Sequence, residues 1–234
     1  MEIETFINNY KEAFGEAVEL PIVFWYSDTA IANTEKIGGC FFKGMKTVRE
    51  GNALGLSVDN IGCGGGKFYT GFTDMPEHVP NFVSLKEKYK KTPEMMLDFA
   101  QKLGVSRTEK KYLNFVRIDK IKNLDDVEGI IFFANPDIIS GLTAWAYFDN
   151  NADDAVAAIF GSGCSAMVTN AVIENERNGR RTFLGLFDIS VRVHFEPNIL
   201  GFMIPMCRFK EMYHTIRDCC LFDAHAWEKI KGRI

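Results

Sequence analysis

The segment GIIFFANPD, residues 129–137, contains an apolar strand that leads directly into a helix start. Its first six residues form a continuous apolar run, which is typical of a strand buried on both faces of a sheet. Asn135 follows as a residue type whose side chain caps helices, and Pro136 then suits the first helical position. A strand joined so closely to a helix predicts an α/β (α+β) fold with a mixed sheet.

Several short features of this region have counterparts earlier in the chain, in the same order. The apolar run VFWYSD at 23–28 resembles IFFANPD at 131–137. The other matched pairs are Gly39-Cys40 with Gly163-Cys164, Leu54-Gly55-Leu56 with Leu184-Gly185-Leu186, and Gly71-Phe72 with Gly201-Phe202. This repeated order predicts an internal duplication of two strand–helix–strand halves related by a pseudo-two-fold axis. The predicted organisation is one domain, 1–234, with pseudo-repeats at 21–72 and 129–204, a connecting helical region at 75–128 and C-terminal helices at 206–232.

The composition is that of an ordinary globular protein. Of the 234 residues, 47% are hydrophobic and 25% charged, so the chain can bury a substantial core. The net charge of −4 and the lack of a Lys/Arg tract argue against a nucleic-acid partner. No apolar run approaches the roughly 18 residues of a membrane span, and residues 2–18 are acidic and amphipathic, unlike a signal peptide. We therefore expect a cytoplasmic protein without a membrane partner, with its six cysteines reduced. The sequence also allows a homo-oligomer.

The stretch NIGCGGGKFYTGF at 60–72 is predicted to form a glycine-rich loop after a strand. A Walker phosphate loop requires Ser or Thr after Gly-Lys, and Phe68 stands there instead. The dinucleotide pattern G-x-G-x-x-G also fails, since its third glycine position is occupied by Lys67 or Tyr69. A nest of backbone N–H groups for another anion stays open. The candidate binding residues of this loop are Gly62, Cys63, Gly64, Gly65, Gly66 and Lys67.

Residues 187–196 alternate strictly between apolar and polar, which predicts a strand with one polar face. One interpretation is a strand whose polar face is simply solvated. The other is a wall of an anion-binding site, formed by Arg192 and His194, with Asp188 orienting the guanidinium. The sequence leaves both interpretations open.

Three thiols follow glycines at the predicted ends of strands or starts of helices. Cys40 and Cys164 each precede a predicted helix, where exposed N–H groups favour the thiolate. Cys63 lies in the glycine-rich stretch, so the three thiols are able to converge. Such a trio is able to bind an iron–sulfur cluster or a soft metal, or to act as a redox pair. The alternative is three inert thiols that act as small apolar side chains, because no C-x-x-C signature is present.

These motifs together resemble a known protein family. The order Gly39-Cys40 with Gly51, then Cys63-Gly64, Gly163-Cys164, and Asp188-x-x-x-Arg192 ahead of ILGFMIP is similar to the prokaryotic domain-of-unknown-function family 169. The likeness extends from about residue 20 to 206. It implies a single α/β domain of soluble bacterial and archaeal proteins without an assigned reaction. It also implies family cysteines at Cys40, Cys63 and Cys164, and a family arginine at Arg192.

The leading hypothesis is a protein that binds a small anionic ligand or cofactor in a cleft between the two halves. The cleft is expected to be bounded by the 61–68 stretch, the two Gly-Cys helix starts and the polar face of 188–196. One alternative is an iron–sulfur or soft-metal protein that uses Cys40, Cys63 and Cys164 as ligands. Another is a structural or assembly protein whose polar strand face contacts a partner. No complete nucleophile–base pair is evident, so the sequence leaves catalysis open.

Overall fold

The apolar runs that the sequence marks as strands form the centre of a seven-stranded mixed sheet. In this computed structural model, which describes all 234 residues, the two central strands pair antiparallel with Ile22 opposite Ile131. The strands are β1 (Ile22–Ser27), β2 (Leu54–Leu56), β3 (Tyr112–Arg117), β4 (Gly129–Ala134), β5 (Val156–Ala157), β6 (Thr182–Gly185) and β7 (Leu200–Pro205). Their order in the sheet is β2-β3-β1-β4-β7-β6-β5, and only β5 and β6 run parallel. The mixed α/β fold is therefore confirmed.

Helices cover both faces of this sheet. The α-helices are α1 (Ile3–Phe14), α2 (Met45–Arg49), α3 (Gly64–Tyr69), α4 (Val79–Asn81), α5 (Pro93–Leu103), α6 (Pro136–Tyr147), α7 (Asn170–Glu176), α8 (Ile189–Arg192), α9 (Met206–Thr215), α10 (Cys220–Asp223) and α11 (His225–Lys231). Short 3₁₀ turns occupy Phe41–Gly44 and Ile118–Lys120, and π-helical turns occupy Phe82–Lys86 and Ser165–Thr169. No helix combines the length and the apolar character that crossing a membrane requires.

Alternation along the central strands divides the core into two layers. In β4, Ile131 and Phe133 pack on one face of the sheet, while Ile130 and Phe132 pack on the other. The first face is covered by α2, α3, α5 and the turn before α7, and the second by α1, α6, α9, α10 and α11. All of the glycine and cysteine motifs at 38–66 and 161–165 lie on the first face, which we call the cysteine face.

The sheet order bears on the predicted duplication. The first three strands are arranged β2-β3-β1, and the next half mirrors this order as β4-β7-β6. In this arrangement the matched motifs at Gly55 and Gly185 both lie in strands. Gly71, however, lies in a turn with φ +76°, whereas its proposed counterpart Gly201 lies in β7. The internal duplication is therefore not confirmed.

Local sequence signals predict the positions of most helices correctly. The Asn135 side chain accepts a hydrogen bond from the Ile138 N–H at 3.0 Å and so caps α6. The predicted helix after Cys40 is present as a 3₁₀ turn that continues into α2, and the helix after Cys164 is present as a π turn that continues into α7. The last thirty residues are helical, as predicted.

The predicted strand at 187–196 is wrong. The chain leaves β6 through Leu186, whose φ of +67° ends the extended conformation, and Asp188 then caps α8 by accepting the Ser190 N–H at 2.9 Å. The buried apolar residues are Val191 and Phe195, which are spaced by four as on a helical turn. Three apolar residues of the supposed inner face are exposed instead: Phe187, Ile189 and Val193. The polar strand face that the assembly hypothesis requires is therefore not present.

On the second face, a fully buried arginine ties α9 to the end of α6. The Arg208 guanidinium donates to both carboxylate oxygens of Asp149, and it also donates to Glu211 Oε2 at 2.6 Å and to the Ala146 carbonyl at 3.1 Å. Hydrogen bonding to Arg208 lowers the pKa of Asp149, and this outweighs the opposing effect of burial. This cluster stabilises the packing of α9 and is remote from the cysteine face.

Candidate functional site

The cysteine face contains a cavity of about 260 Å³ that is bordered by both halves of the chain. Cys40 and Cys63 line it from the first half, and Cys164 and Asp188 line it from the second. The prediction that the three thiols converge on one hollow therefore agrees with the geometry, and we name this hollow the cysteine cavity. Most of the remaining wall is apolar or aromatic: Tyr69, Val79, Phe82, Val83, Tyr89, Met96, Phe99 and Phe160.

Cys40 and Cys63 are brought together because the backbone segments that precede them pair with each other. Ile37 and Ile61 form a parallel bridge, in which the Gly62 N–H donates to the Ile37 carbonyl at 2.9 Å. A Cβ atom on Gly62 would lie only 2.5 Å from that carbonyl oxygen. Glycine is therefore required at 62 for the close approach of another backbone. Gly62 does not line the cavity, and its role is structural.

The three glycines after Cys63 form a wall of bare backbone. The sequence predicts a loop here, but residues Gly64–Tyr69 form the short helix α3. The Cys63 side chain caps it, since its Sγ accepts the Gly66 N–H at 3.3 Å. Gly64, Gly65 and Gly66 all line the cavity, whereas Lys67 does not. Within this helix the Gly66 N–H donates to Cys63 Sγ, and the Lys67 N–H donates to the Cys63 carbonyl at 3.0 Å.

Cys164 is held by a serine-rich turn at the start of the π-helical segment. Its Sγ lies 3.2 Å from Ser162 Oγ, which also accepts the Ser165 N–H at 3.2 Å. Burial raises the pKa of the Cys164 thiol, and burial also raises the pKa of Cys40 to about 11. The prediction that helix starts favour thiolates at these two positions is therefore wrong, because the loss of hydration outweighs the N–H groups.

Asp188 forms the acidic corner of the cavity. It is 8% exposed, and its carboxylate accepts the Ser190 N–H at 2.9 Å and the Ser190 hydroxyl at 2.7 Å. Burial, together with the charge of Asp188, raises the pKa of the nearby Tyr89 hydroxyl. Asp188 therefore fixes the start of α8 while presenting a carboxylate edge to the hollow.

Tyr69 is a largely buried residue of the cavity wall whose hydroxyl has no partner within the chain. The residue is only 6% exposed, and its hydroxyl makes no hydrogen bond within the chain. Burial raises the pKa of this hydroxyl, and the charges of Cys164, Asp188 and Cys63 raise it further. By contrast, the Tyr26 hydroxyl donates to the Thr70 carbonyl at 2.8 Å. The Tyr69 hydroxyl is not sealed from solvent, so it is a donor that water or a ligand can use.

Arg192 and His194 do not reach the cavity. The Arg192 guanidinium donates to the carbonyls of Glu196 and Pro197, each at 3.0 Å, and to the carbonyl of Ile199. Its donors are therefore used to fold the turn that follows α8, and Asp188 orients Ser190 instead of the guanidinium. The predicted pairing of Asp188 and Arg192 across an anion site is not formed, because the segment is helical.

The three thiols are not arranged as metal ligands. No group of three His, Cys, Asp or Glu side chains anywhere in the structure is placed to hold a metal ion. Cys40, Cys63 and Cys164 border the same hollow from three separate segments, but they do not converge on one point as a cluster or a soft metal requires. The predicted metal site at these residues is therefore not present.

Comparison with protein families gives a match over most of the chain. The model of the family DUF169, described as an uncharacterised ArCR family, matches residues 21–215. The chain belongs to the DUF169 family. The match begins at the residue before β1 and ends with α9, so it includes every residue that lines the cysteine cavity. Neither curated proteins nor solved structures gave a match.

This DUF169 chain has a second, larger depression, whose lining includes residues of both core layers. It is an open groove of about 800 Å³ that none of the predicted site residues line. Its half-buried carboxylate, Glu128, accepts a hydrogen bond from Asn175 at 2.7 Å. Two of its cationic side chains, Arg107 and Lys110, are paired with surface carboxylates, and the third, Lys210, is exposed. The groove therefore offers no buried group in need of a ligand, apart from the Tyr69 ring that separates it from the cysteine cavity.

Proposed function

We propose that this DUF169 protein binds a small, mainly apolar molecule in the cysteine cavity, through an acceptor atom that takes the hydrogen of the Tyr69 hydroxyl. The observation that carries the proposal is Tyr69, a residue only 6% exposed that lines the cavity and whose hydroxyl has no hydrogen-bond partner within the chain. A ligand acceptor that takes this hydrogen in place of water adds about 0.5–1.5 kcal/mol of binding free energy, the net worth of one neutral hydrogen bond.

The size and lining of the cavity define the ligand class. A volume of about 260 Å³ lies just below the range of roughly 300–1,000 Å³ for drug-sized ligands. The walls are aromatic and aliphatic around Phe82, Phe99 and Phe160, with backbone alone along Gly64–Gly66. A single flat ring with a short polar end fits this combination of shape and chemistry.

The charge pattern favours a neutral ligand over the anion that the sequence predicts. The carboxylate of Asp188 faces the cavity, and Arg192 is committed to backbone carbonyls elsewhere. The Lys90 ammonium lies 4.7 Å from the centre of the Phe99 ring, where it is engaged in a cation–π contact. An acceptor such as a ketone or aldehyde oxygen therefore suits Tyr69 better than a fully charged group.

Binding of benzylacetone, a neutral aryl ketone, tests this proposal. Isothermal titration is expected to show one saturable site, and Tyr69→Phe is expected to weaken the affinity about three- to tenfold, which is the worth of one neutral hydrogen bond. Tyr147→Phe is a matched control, since the Tyr147 hydroxyl donates to the Asp153 carbonyl outside the cavity. Absence of binding to the unmodified protein, or equal affinities for Tyr69→Phe and the unmodified protein, would refute the proposal.

A further inference from the structure

We infer that the entrance of the cysteine cavity docks on the surface of an anionic lipid membrane. Two features carry this inference: apolar side chains that are exposed around the entrance, and a lysine-rich segment beside them. The expectation of no membrane partner rested on the lack of a spanning segment, and docking on a surface requires none. The docking goes beyond the proposed function, because the rim and the lysines are in place without a ligand.

The entrance of the cavity is edged by exposed apolar side chains. Phe82 and Phe160 line the cavity and are also exposed to solvent, and Leu85 lies one turn after Phe82. Ile189 begins α8 and Val193 follows its last residue, and these two side chains are 68% and 75% exposed. We call these five residues the apolar rim. A contiguous apolar patch on the surface of a protein usually marks an interaction site.

Contacts across the entrance join the segments that carry the apolar rim. Tyr89 lies beside Ser190, and both residues line the cavity, which links the 82–91 segment to α8. The Lys90 ammonium lies 4.7 Å from the centre of the Phe99 ring. A Cβ atom on Gly161 would lie 3.2 Å from the same ring, so the turn that contains Phe160 packs beside it. The rim segments therefore adjoin one another.

A positively charged segment lies beside the apolar rim. Residues 86–91, KEKYKK, contain four lysines and one glutamate, although the chain as a whole has a net charge of −4. Lys86, Lys88 and Lys91 are exposed, and the salt bridges of the chain that use lysine involve other residues. We call residues 86–91 the lysine segment. Its charge complements the negative surface potential of a membrane that contains anionic lipids.

This combination favours a lipid surface over another protein. Aliphatic and aromatic side chains enter the boundary between headgroups and acyl chains, while lysines extend to the phosphates. A symmetric dimer through this surface would place two lysine segments close together, which repulsion between like charges opposes. The acidic residues of the region, Glu87 and Asp188, line the cavity. A mainly apolar ligand also concentrates in the bilayer, and this last argument alone rests on the proposed function.

Vesicle flotation of the full chain tests the inference. At low salt, the protein is expected to float with vesicles of equimolar phosphatidylcholine and phosphatidylglycerol, and to remain unbound with phosphatidylcholine alone. Added salt is expected to weaken the binding, because exposed charges are screened. Failure to float with the anionic vesicles, or equal flotation with both compositions, would overturn the inference.

A matched pair of triple variants separates the lysine segment from net charge. The combined change Lys86→Gln, Lys88→Gln and Lys91→Gln is expected to lower the vesicle partition coefficient about tenfold or more. The control removes the same charge elsewhere, by Lys122→Gln, Lys210→Gln and Lys229→Gln, and its partition coefficient is expected to stay within twofold. These control lysines are exposed, two of them on α9 and α11 and one beside Ile121, which packs in the second core layer. Equal losses in the two triple variants would contradict the inference.

A second comparison tests the apolar rim. Ile189→Gln combined with Val193→Gln is expected to lower the partition coefficient about tenfold, because binding depends on the apolar area that enters the bilayer. Phe148→Gln is the control, since Phe148 is exposed at the end of α6 on the second face. A loss in the control as large as that in the rim variant would contradict docking through the rim.

Footprinting of the unmodified protein gives the orientation without any variant. Anionic vesicles are expected to protect the three exposed lysines of the lysine segment from acetylation, while the three control lysines stay reactive. Uniform protection, or none, would overturn the inference. A dimer that the rim variant disperses, together with no vesicle binding, would assign the surface to a second copy instead. Benzylacetone is absent from these assays and lipid is absent from its titration, so the two proposals fail separately.

Discussion

A methyl group on Gly65 would lie 3.8 Å from Cys63 Sγ and would contact no other side chain within 4 Å. The position is helical, with no positive φ that would require glycine. The fold itself therefore does not require glycine at position 65. Because Gly65 has no side chain, the cysteine cavity stays open next to the sulfur of Cys63. At this position a larger residue would stabilise the helix, whereas glycine preserves the volume of the cavity.

Substitution at Gly65 is expected to separate stability from binding. Gly65→Ala should stabilise the protein by about 0.5–1 kcal/mol in chemical denaturation, because alanine loses less backbone entropy in a helix. The same change should weaken benzylacetone binding, and Gly65→Leu should abolish it by filling the hollow. Gly66→Ala is the control, since its methyl would press on Ile61 and Phe41 at 3.3 Å and offset the gain in stability. Unchanged affinity in Gly65→Leu would place the ligand elsewhere.

Arg192 is expected to act on stability and not on binding. Arg192→Ala removes the hydrogen bonds to the carbonyls at 196, 197 and 199, which should cost about 1–2 kcal/mol in the free energy of unfolding. Benzylacetone affinity should stay within twofold of the unmodified protein. Arg107→Ala serves as the comparison, because its partner Asp74 is almost fully exposed and such pairs contribute little. A large loss of affinity in Arg192→Ala would restore the anion-site interpretation.

The cysteines are expected to alkylate in an order set by exposure. With iodoacetamide at neutral pH, Cys220 should react fastest because it is the exposed thiol, and Cys164 should react slowest because it is buried. A raised pKa means less thiolate at neutral pH, so the Cys40 rate should climb with pH and level off only near its pKa of about 11. Residue-level mass spectrometry checks this order. A Cys40 rate that is already constant above pH 8 would contradict the burial effect.

Asp149 is expected to give a pH-dependent contribution to stability. Asp149→Asn leaves the buried Arg208 charge with fewer anionic partners and should cost about 3 kcal/mol at neutral pH. The pKa of Asp149 is lowered in the folded state, so its stabilisation is present above the unfolded pKa of about 3.9 and is lost as pH falls through the folded pKa. The stability gap between the variant and the unmodified protein should therefore shrink below about pH 4. Asp28→Asn, at an exposed ion pair, should show no measurable gap at any pH.

The sequence predicts the central strands and the main helices because their signals are local. The apolar runs of β1 and β4 need no context to be identified as buried, and the Asn135 cap fixes the start of α6. The convergence of Cys40, Cys63 and Cys164 was also predictable, since strand ends and helix starts on one face of a sheet lie near each other.

Two errors arise where a helix cap, with or without packing contacts, overrides the pattern of residue types. Alternation at 187–196 predicts a strand, but the left-handed Leu186 and the Asp188 cap turn the chain into α8. Three glycines in a row predict a loop, but the Cys63 cap and packing against Phe41 and Ile61 hold them in α3. Neither cap has a signal strong enough to outweigh the pattern around it.

The chemistry of the cavity depends on burial, which sequence patterns do not report. Helix starts favour thiolates at Cys40 and Cys164, yet burial raises both pKa values. Tyr69 has no local signal at all, because an unpartnered hydroxyl is defined only by what surrounds it in three dimensions. The residue on which the proposed function depends was therefore beyond sequence reasoning.

A crystal structure of the protein soaked with a brominated benzylacetone tests the central claim most directly, since the anomalous signal of bromine locates the ring. We predict the ring between Phe82 and Phe99, with the ketone oxygen within hydrogen-bonding distance of Tyr69 Oη. A saturated soak that leaves this hollow empty, or that places the ketone away from Tyr69, would contradict the account.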